Sequence, residues 1–389
     1  MKIRIVFDKK NIKYFFMSVL VFISFVNFPD YIIGGSVREV YYYCSILIYL
    51  LIIITYFKKF RFKINYFQLI VLVFLFIPFF STLKNGFYQL IIMGKNLLAV
   101  FSASLTIQMG IDLNKRQFLK YSTIFWGFLS CINYLTFFIY YPSMSKVESN
   151  FYFLGNDNGS VFETICFFSS FFLLDLISKN KLSKKLLLFL LFAFASYLYV
   201  RSGNGMACVA LLLAIYFIYN NKILDNVISG MSIILSYLVI FYLIVVQRDG
   251  GVVALILRLF EKDATYSGRT YIWESCFKYI KLHPFFGNGY EDNSVLLMKM
   301  GNIKAHNIII QNLYNGGLVM LVLFLILLFL VLKKISTVTT IKVKNTMNLF
   351  LFTVLLLTLF DYYYSKVSII YLFSLYYYVS IYKEKVGIE

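Results

Sequence analysis

Tyr314-Asn-Gly-Gly-Leu-Val-Met-Leu-Val-Leu-Phe-Leu-Ile-Leu-Leu-Phe-Leu-Val-Leu332 carries no charge and, past its first four residues, no polar side chain. At about 1.5 Å of rise per residue, a helix of this length crosses roughly 30 Å of hydrocarbon. Apolar runs of the same kind lie at 12–29, 40–57, 64–82, 88–110, 121–141, 159–178, 185–200, 203–219, 226–246, 346–360 and 366–382, which makes twelve with 314–332. The chain is 60% hydrophobic and only 14% charged, whereas a soluble domain is about half apolar and about a quarter charged. The expected fold is therefore all-α and polytopic, with about twelve transmembrane helices.

Lys and Arg collect in short cytoplasmic loops and are sparse in short translocated ones. With the N-terminus inside, the cytoplasmic segments hold 23 basic residues, among them Lys58, Lys59, Lys115, Arg116, Lys184, Lys185, Lys333 and Lys334. The short outer loops hold five, namely Arg38, Lys84, Lys146, Arg201 and Lys366. Both termini are thus expected in the cytoplasm, and the long polar interval 247–313 falls outside. The net charge of +19 serves this topology and attraction to anionic membrane lipid, leaving no basic patch for nucleic acid. The first apolar run has no small-residue cleavage site after it, only Phe28-Pro29-Asp30, and reads as a retained helix. Four of the five cysteines fall in predicted helices, so no disulfide framework, metal spacing or cofactor motif is present. With no repeat along the chain, residues 1–389 read as one membrane domain with the outer loop embedded in it.

Both histidines lie in that loop. Ser267-Gly268 can open a helix in which Ile272, Cys276 and Ile280 recur four apart beside Trp273 and Phe277, which predicts an amphipathic helix at the membrane surface. His283-Pro-Phe-Phe-Gly-Asn-Gly289 ends it, Asn293 to Met300 predicts another turn or two, and from Ala305 the chain reads as helical into the span near Tyr314. Arg201 precedes Ser202 and Gly203 in a tight outer turn. It is either a snorkelling side chain or a phosphate clamp, since guanidinium presents a planar fork of donors. Arg269 sits in the first turn of its helix, where free N–H groups favour an anion, although an arginine in a polar loop is more often simply solvated. His306 can exchange a proton near neutrality, or merely cap the helix that follows, with Asn307 and Gln311 at its approach. His283 reads as part of a helix stop. Lys95 lies about 10 Å inside the fourth span, where a charge is by default a functional hypothesis, and Glu163 and Asp361 are weaker candidates near the outer ends of spans.

Taken in order, Gly268-Arg269, His283-Pro-Phe-Phe-Gly-Asn-Gly289, His306-Asn307 and Gly316-Gly317, with Arg201-Ser-Gly and Gly155-Asn-Asp-Asn158 upstream, resemble the signature of the O-antigen ligase and Wzy-type polymerase superfamily. The likeness spans roughly 150–335 by motif. One departure is Asp157 between Asn156 and Asn158, where relatives often place proline. The resemblance implies a metal-independent, inverting glycosyltransferase on the outer face of a bacterial cytoplasmic (inner) membrane. Its donor would be an undecaprenyl-pyrophosphate-linked oligosaccharide. Arg201 and Arg269 would bind the pyrophosphate, and His306 would assist the acceptor hydroxyl. Asn307, Gln311, Trp273 and Lys95 are expected to contact substrate, with Tyr266, Tyr271 and Tyr290 as further stacking surfaces. Membrane lipid is an expected partner, and a chain-length regulator and a flippase are further ones.

Three activities remain open. A polymerase of repeat units leads, a ligase that moves finished glycan to lipid A core or another acceptor follows, and a lipid-oligosaccharide flippase comes third. The flippase would need a charged path through mid-membrane and, if built on inverted repeats, paired helix breaks, which four prolines do not supply.

Overall fold

A computed structural model describes residues 12–25, 35–60, 64–140, 152–154, 160–179, 181–219, 228–247, 268–360 and 374–379. Asp361, Ser267, Tyr266, the Gly155–Asn158 stretch and most of the run at 366–382 lie outside them. Among the described residues the regular elements are helices. They are α1 (Ile12–Phe25), α2 (Gly35–Phe60), α3 (Tyr66–Phe76), α4 (Pro78–Thr82), α5 (Phe87–Tyr140), α6 (Val161–Lys179), α7 (Lys184–Tyr199), α8 (Gly203–Ile218), α9 (Gly230–Phe241), α10 (Arg269–Leu282), α11 (Asn293–Met300), α12 (Ile308–Ser336) and α13 (Ile341–Phe360). Six helical stretches are long and apolar enough to cross a membrane: Gly35–Lys59, Tyr66–Asn85, Phe87–Tyr140, Val161–Ser178, Ile308–Ser336 and Ile341–Leu359. Three shorter apolar helices accompany them.

The difference from twelve runs has local causes. The runs at 88–110 and 121–141 belong to the 54-residue α5, interrupted only at Asn114, whose backbone is extended (φ −167°, ψ 94°). Its side-chain oxygen accepts from the Gln117 N–H at 3.0 Å. Asn114 therefore caps a new helix in one step, and the loop expected around Lys115–Lys120 shrinks to a single residue. Pro78 acts in the opposite sense. Lacking an N–H, it occupies the first position of α4 and joins α3 to α4 without a loop, while Asn65 and Gln68 cap the start of α3 reciprocally.

By contacts the chain divides into two compact units, residues 1–63, 98–217 and 369–389 in one, and 64–97 and 218–368 in the other. In the first, a buried hydroxyl chain ties α5, α6 and α7 together: Tyr134 and Thr164 at 2.8 Å, Thr164 and Tyr197 at 2.8 Å, Ser160 and Tyr197 at 3.2 Å. Thr164 Oγ1 also donates to Ser160 O at 3.1 Å, so the buried hydroxyls of this chain are bonded to one another and to the backbone. The Tyr197 ring passes so close to α8 that a Cβ on Gly205 would stand 2.1 Å from it.

In the second unit α12 packs against α3, α4, α10 and α13. The amphipathic helix expected at the membrane surface is α10, and its apolar face turns into the protein: Ile272, Trp273, Cys276 and Ile280 are buried with Met300, Ala305, Ile310 and Tyr314. Tyr271, Glu274, Lys278 and Lys281 stay exposed.

Candidate active site

The second unit is organised by a break in α12. Gly317 (φ 63°, ψ −160°) leaves helical geometry in mid-helix. An unbroken helix would pair Leu318 N–H with Tyr314 C=O, and Val319 N–H with Asn315 C=O. Instead the loop Pro284–Gly289 supplies all four partners. Leu318 N–H donates to Pro284 O at 2.8 Å and Val319 N–H to Phe285 O at 3.2 Å, while Asn288 N–H donates to Tyr314 O at 2.6 Å and Gly289 N–H to Asn315 O at 2.9 Å. Non-helical backbone within a spanning helix survives only where protein satisfies it, and this loop does so. The space is filled to contact. A Cβ on Gly317 would lie 2.3 Å from the Phe285 carbonyl, and one on Gly287 2.5 Å from Tyr314 O. The end of α4 and the turn after it also hold the loop, through Ser81 Oγ to Phe286 O at 2.7 Å and Asn85 Nδ2 to both Asn288 O and Tyr290 O at 2.8 Å. His283 caps the end of α10, as its sequence context predicts.

His306 immediately precedes Asn307, the cap of α12. Its φ is 51°, in the left-handed region that costs a non-glycine residue about 1–2 kcal/mol. The backbone around it is held by neighbours. Trp273 Nε1–H donates to Ala305 O at 2.8 Å, and Gln311 Oε1 accepts from Ala305 N–H at 2.8 Å. Asn307 caps α12 by accepting from the Ile309 and Ile310 N–H groups, and its Nδ2 donates to Leu359 O at 3.2 Å. Three side chains expected to contact substrate thus bond within the fold. For Trp273 this is a correction: at 0% exposure its ring has no free face on which a sugar could stack. Tyr271 does stay exposed, whereas Tyr290 is half-buried with its N–H given to Thr82 Oγ1.

Arg269 is the first residue of α10, half-buried, behind a left-handed Gly268 (φ 83°). A carboxylate that sequence reading passed over lies in the same unit. Glu291 accepts from Tyr314 OH at 2.6 Å and pairs with Lys299 at 2.5 Å, and the Lys299 ammonium stands 5.0 Å from the centre of the Tyr279 ring. This links α10, α11 and α12, and no spacing in the sequence announces it. Asp292 caps α11, and hydrogen bonds from the Ser294 side chain and backbone hold its carboxyl below the ordinary aspartate range. Burial pushes the Cys276 thiol up to about 12, so it stays protonated and shielded at neutral pH. A thiol-reactive maleimide is expected to leave Cys276 untouched in the folded protein and to modify it after denaturation, as read by mass spectrometry.

In the first unit Arg201 forms the corner between α7 and α8. Its N–H bonds Leu198 O at 3.1 Å and the Ser202 N–H bonds Tyr197 O at 3.0 Å, the two bonds of a Schellman ending. Glycine normally occupies the left-handed position of that motif, yet here it is Arg201, with φ 54° and an exposed side chain. Ser202 then turns inward to cap α8 through Gly205 N–H. Glu163 is buried in the first turn of α6, and Lys95 is half-buried in α5. Among the described residues, Arg201 and His306 are the two non-glycine positions with positive φ.

Helices fit to span a bilayer, one of them broken and refilled by a polar loop, with arginine and histidine side chains set at helix ends, define a polytopic membrane protein. Residues 186–325 match the family model described as O-Antigen ligase, which supports membership of this region in the O-antigen ligase and Wzy superfamily. The matched segment runs from α7 into α12 and includes Arg201, Arg269, His306 and the helix break. No curated protein and no solved structure matches the chain.

Proposed function

We propose that the protein is a glycosyltransferase that polymerises lipid-linked oligosaccharide repeat units on the outer face of the cytoplasmic membrane, with Arg201, Arg269 and His306 as its catalytic residues. The observation that carries this reading is backbone strain. Of the residues assigned to chemistry from sequence, Arg201 and His306 are held in left-handed conformations that neither residue type favours, and strain of this kind concentrates at functional sites. The family match spanning both residues supports the polymerase and ligase readings alike.

The chemistry is a single displacement. An acceptor hydroxyl attacks the anomeric carbon of the donor glycan, the bond to pyrophosphate breaks, and the configuration inverts. The electron pair leaves on the diphosphate, where two guanidiniums stabilise the growing charge, while the hydroxyl proton passes to the His306 imidazole. Loss of one such fixed donor costs about 100- to 1,000-fold in rate, and loss of a general base about 100- to 10,000-fold. Twelve spans with both termini cytoplasmic would put Arg201 and His306 on the outer side.

The test is a gel of surface glycan and lipid-linked intermediates from cells lacking the protein, complemented with wild type or Arg269→Ala. Single repeat units remaining on the carrier or acceptor, with the ladder restored by wild type alone, are the expected result. Full-length polymer accumulating on the carrier would make the protein a ligase, and an unchanged profile would remove both readings.

A further inference from the structure

We propose that Trp273 and Gln311 are positioning residues for His306, acting through the peptide groups on either side of Ala305. The inference rests on the reading of His306 as the general base. Both polar groups of Ala305 are taken by these side chains, its carbonyl by Trp273 Nε1–H and its N–H by Gln311 Oε1, each at 2.8 Å. Both partners are buried, Trp273 at 0% and Gln311 at 5% exposure, and Ala305 itself is at 0%. Gln311 is in turn oriented by its Nε2 donating to Asn315 Oδ1 at 3.0 Å. On the other side of His306, Asn307 is fixed by its cap bonds and by Leu359 O.

The backbone is thus pinned immediately before and after a residue whose φ of 51° is unfavourable for histidine. If the pins go, the dihedral relaxes toward an ordinary region, and the imidazole swings with its Cα–Cβ bond. A general base works only within hydrogen-bond reach of the proton it takes, and a misplacement of about 1 Å can cost about 100-fold. The clamp therefore controls rate through geometry and touches no substrate.

The experiment uses purified full-length protein in nanodiscs with lipid-linked repeat units isolated from cells lacking it. Trp273→Phe removes the donor and keeps an aromatic ring, and Gln311→Met removes the acceptor. Gln311→Glu keeps an acceptor for Ala305, and the Asn315 amide can turn to donate to it. The first two are expected to lose roughly 10- to 100-fold in kcat with donor KM little changed. Their residual rate should rise with pH, as hydroxide replaces the base, in the way His306→Ala does. Gln311→Glu is expected to recover most of the rate. In the His306→Ala background neither Trp273→Phe nor Gln311→Met should lower the rate further.

Folded Trp273→Phe and Gln311→Met with kcat near wild type overturn the clamp, and losses confined to KM overturn it in favour of substrate contact. Should Trp273→Phe fail to fold, the comparison of Gln311→Met with Gln311→Glu decides. If neither Trp273→Phe nor Gln311→Met folds, the role is structural and the clamp falls. If His306→Ala alone keeps wild-type kcat, the reading of His306 as the base fails, an outcome distinct from failure of the clamp with His306→Ala inactive.

Discussion

Arg201→Gly is expected to lower glycan polymerisation by about 100-fold or more while the purified protein melts at or above the wild-type temperature. The two effects have separate sources. The corner between α7 and α8 closes through backbone bonds from Arg201 N–H and Ser202 N–H, which glycine makes equally well. Glycine also removes the cost of holding a side chain at φ 54°, about 1–2 kcal/mol. What disappears is the guanidinium, which lies on the exposed side of the corner. Arg201→Ala separates the terms, since it keeps the strained backbone without the charge and should lose the same activity with no gain in stability. Parallel thermal melts and gel assays of both variants read this out. Wild-type polymer from Arg201→Gly would reduce Arg201 to a surface arginine and remove the first support for the proposed chemistry.

Gly317→Ala and Gly287→Ala should act in the opposite way, abolishing folded protein rather than only its activity. At both positions φ is positive and an added Cβ would stand 2.3–2.5 Å from backbone atoms, which cannot swing aside as a side chain can. Either substitution expels the loop from the break in α12 and exposes up to four backbone bonds, each worth about 0.5–1.5 kcal/mol net in water and several when no water can replace it. Gly301→Ala is the internal control, because its φ is 71° but nothing lies within 4 Å of the added carbon. It should cost only conformational strain, about 1 kcal/mol or somewhat more. Fluorescence-detected size exclusion ranks the three, and comparable yields for all would mean that the loop is not wedged as described.

The helices were legible because the lipid-facing periodicity of this chain is blunt: uninterrupted apolar runs leave no other element possible. The starts of α10 and α12 and the stop at His283 were also readable, from Gly268, from Asn307 and from the Pro284–Gly289 cluster. Breaks were less so. A single capping residue, Asn114, does the work of a loop, and Pro78 starts α4 directly after α3 within the one apolar run 64–82.

Within the candidate site, Trp273, Asn307 and Gln311 read as substrate contacts because polar and aromatic side chains in an outer loop have that use. Apart from the Gln311–Asn315 side-chain bond, their partners are backbone carbonyl and N–H groups, which carry no sequence signature. The same holds for the Pro284–Gly289 loop. Its glycines read as a turn, yet they are glycine because Tyr314 and the backbone beside Ser81 and Thr82 press against them. The left-handed corner at Arg201 was invisible, since the preference of that position for glycine would have argued against it.

The filled break in α12 also sets an order of assembly. Residues 284–289 are synthesised before 314–319, and although Ser81 and Asn85 already offer bonds to Phe286 O and Asn288 O, the Pro284 and Phe285 carbonyls and the Asn288 and Gly289 N–H groups gain their partners only with that helix. The break in α12, for its part, has two open carbonyls and two open N–H groups until the loop meets it. The loop therefore gains its last backbone partners only once α12 is made. Any chimera that transplants α12 has to bring Pro284 to Gly289 with it.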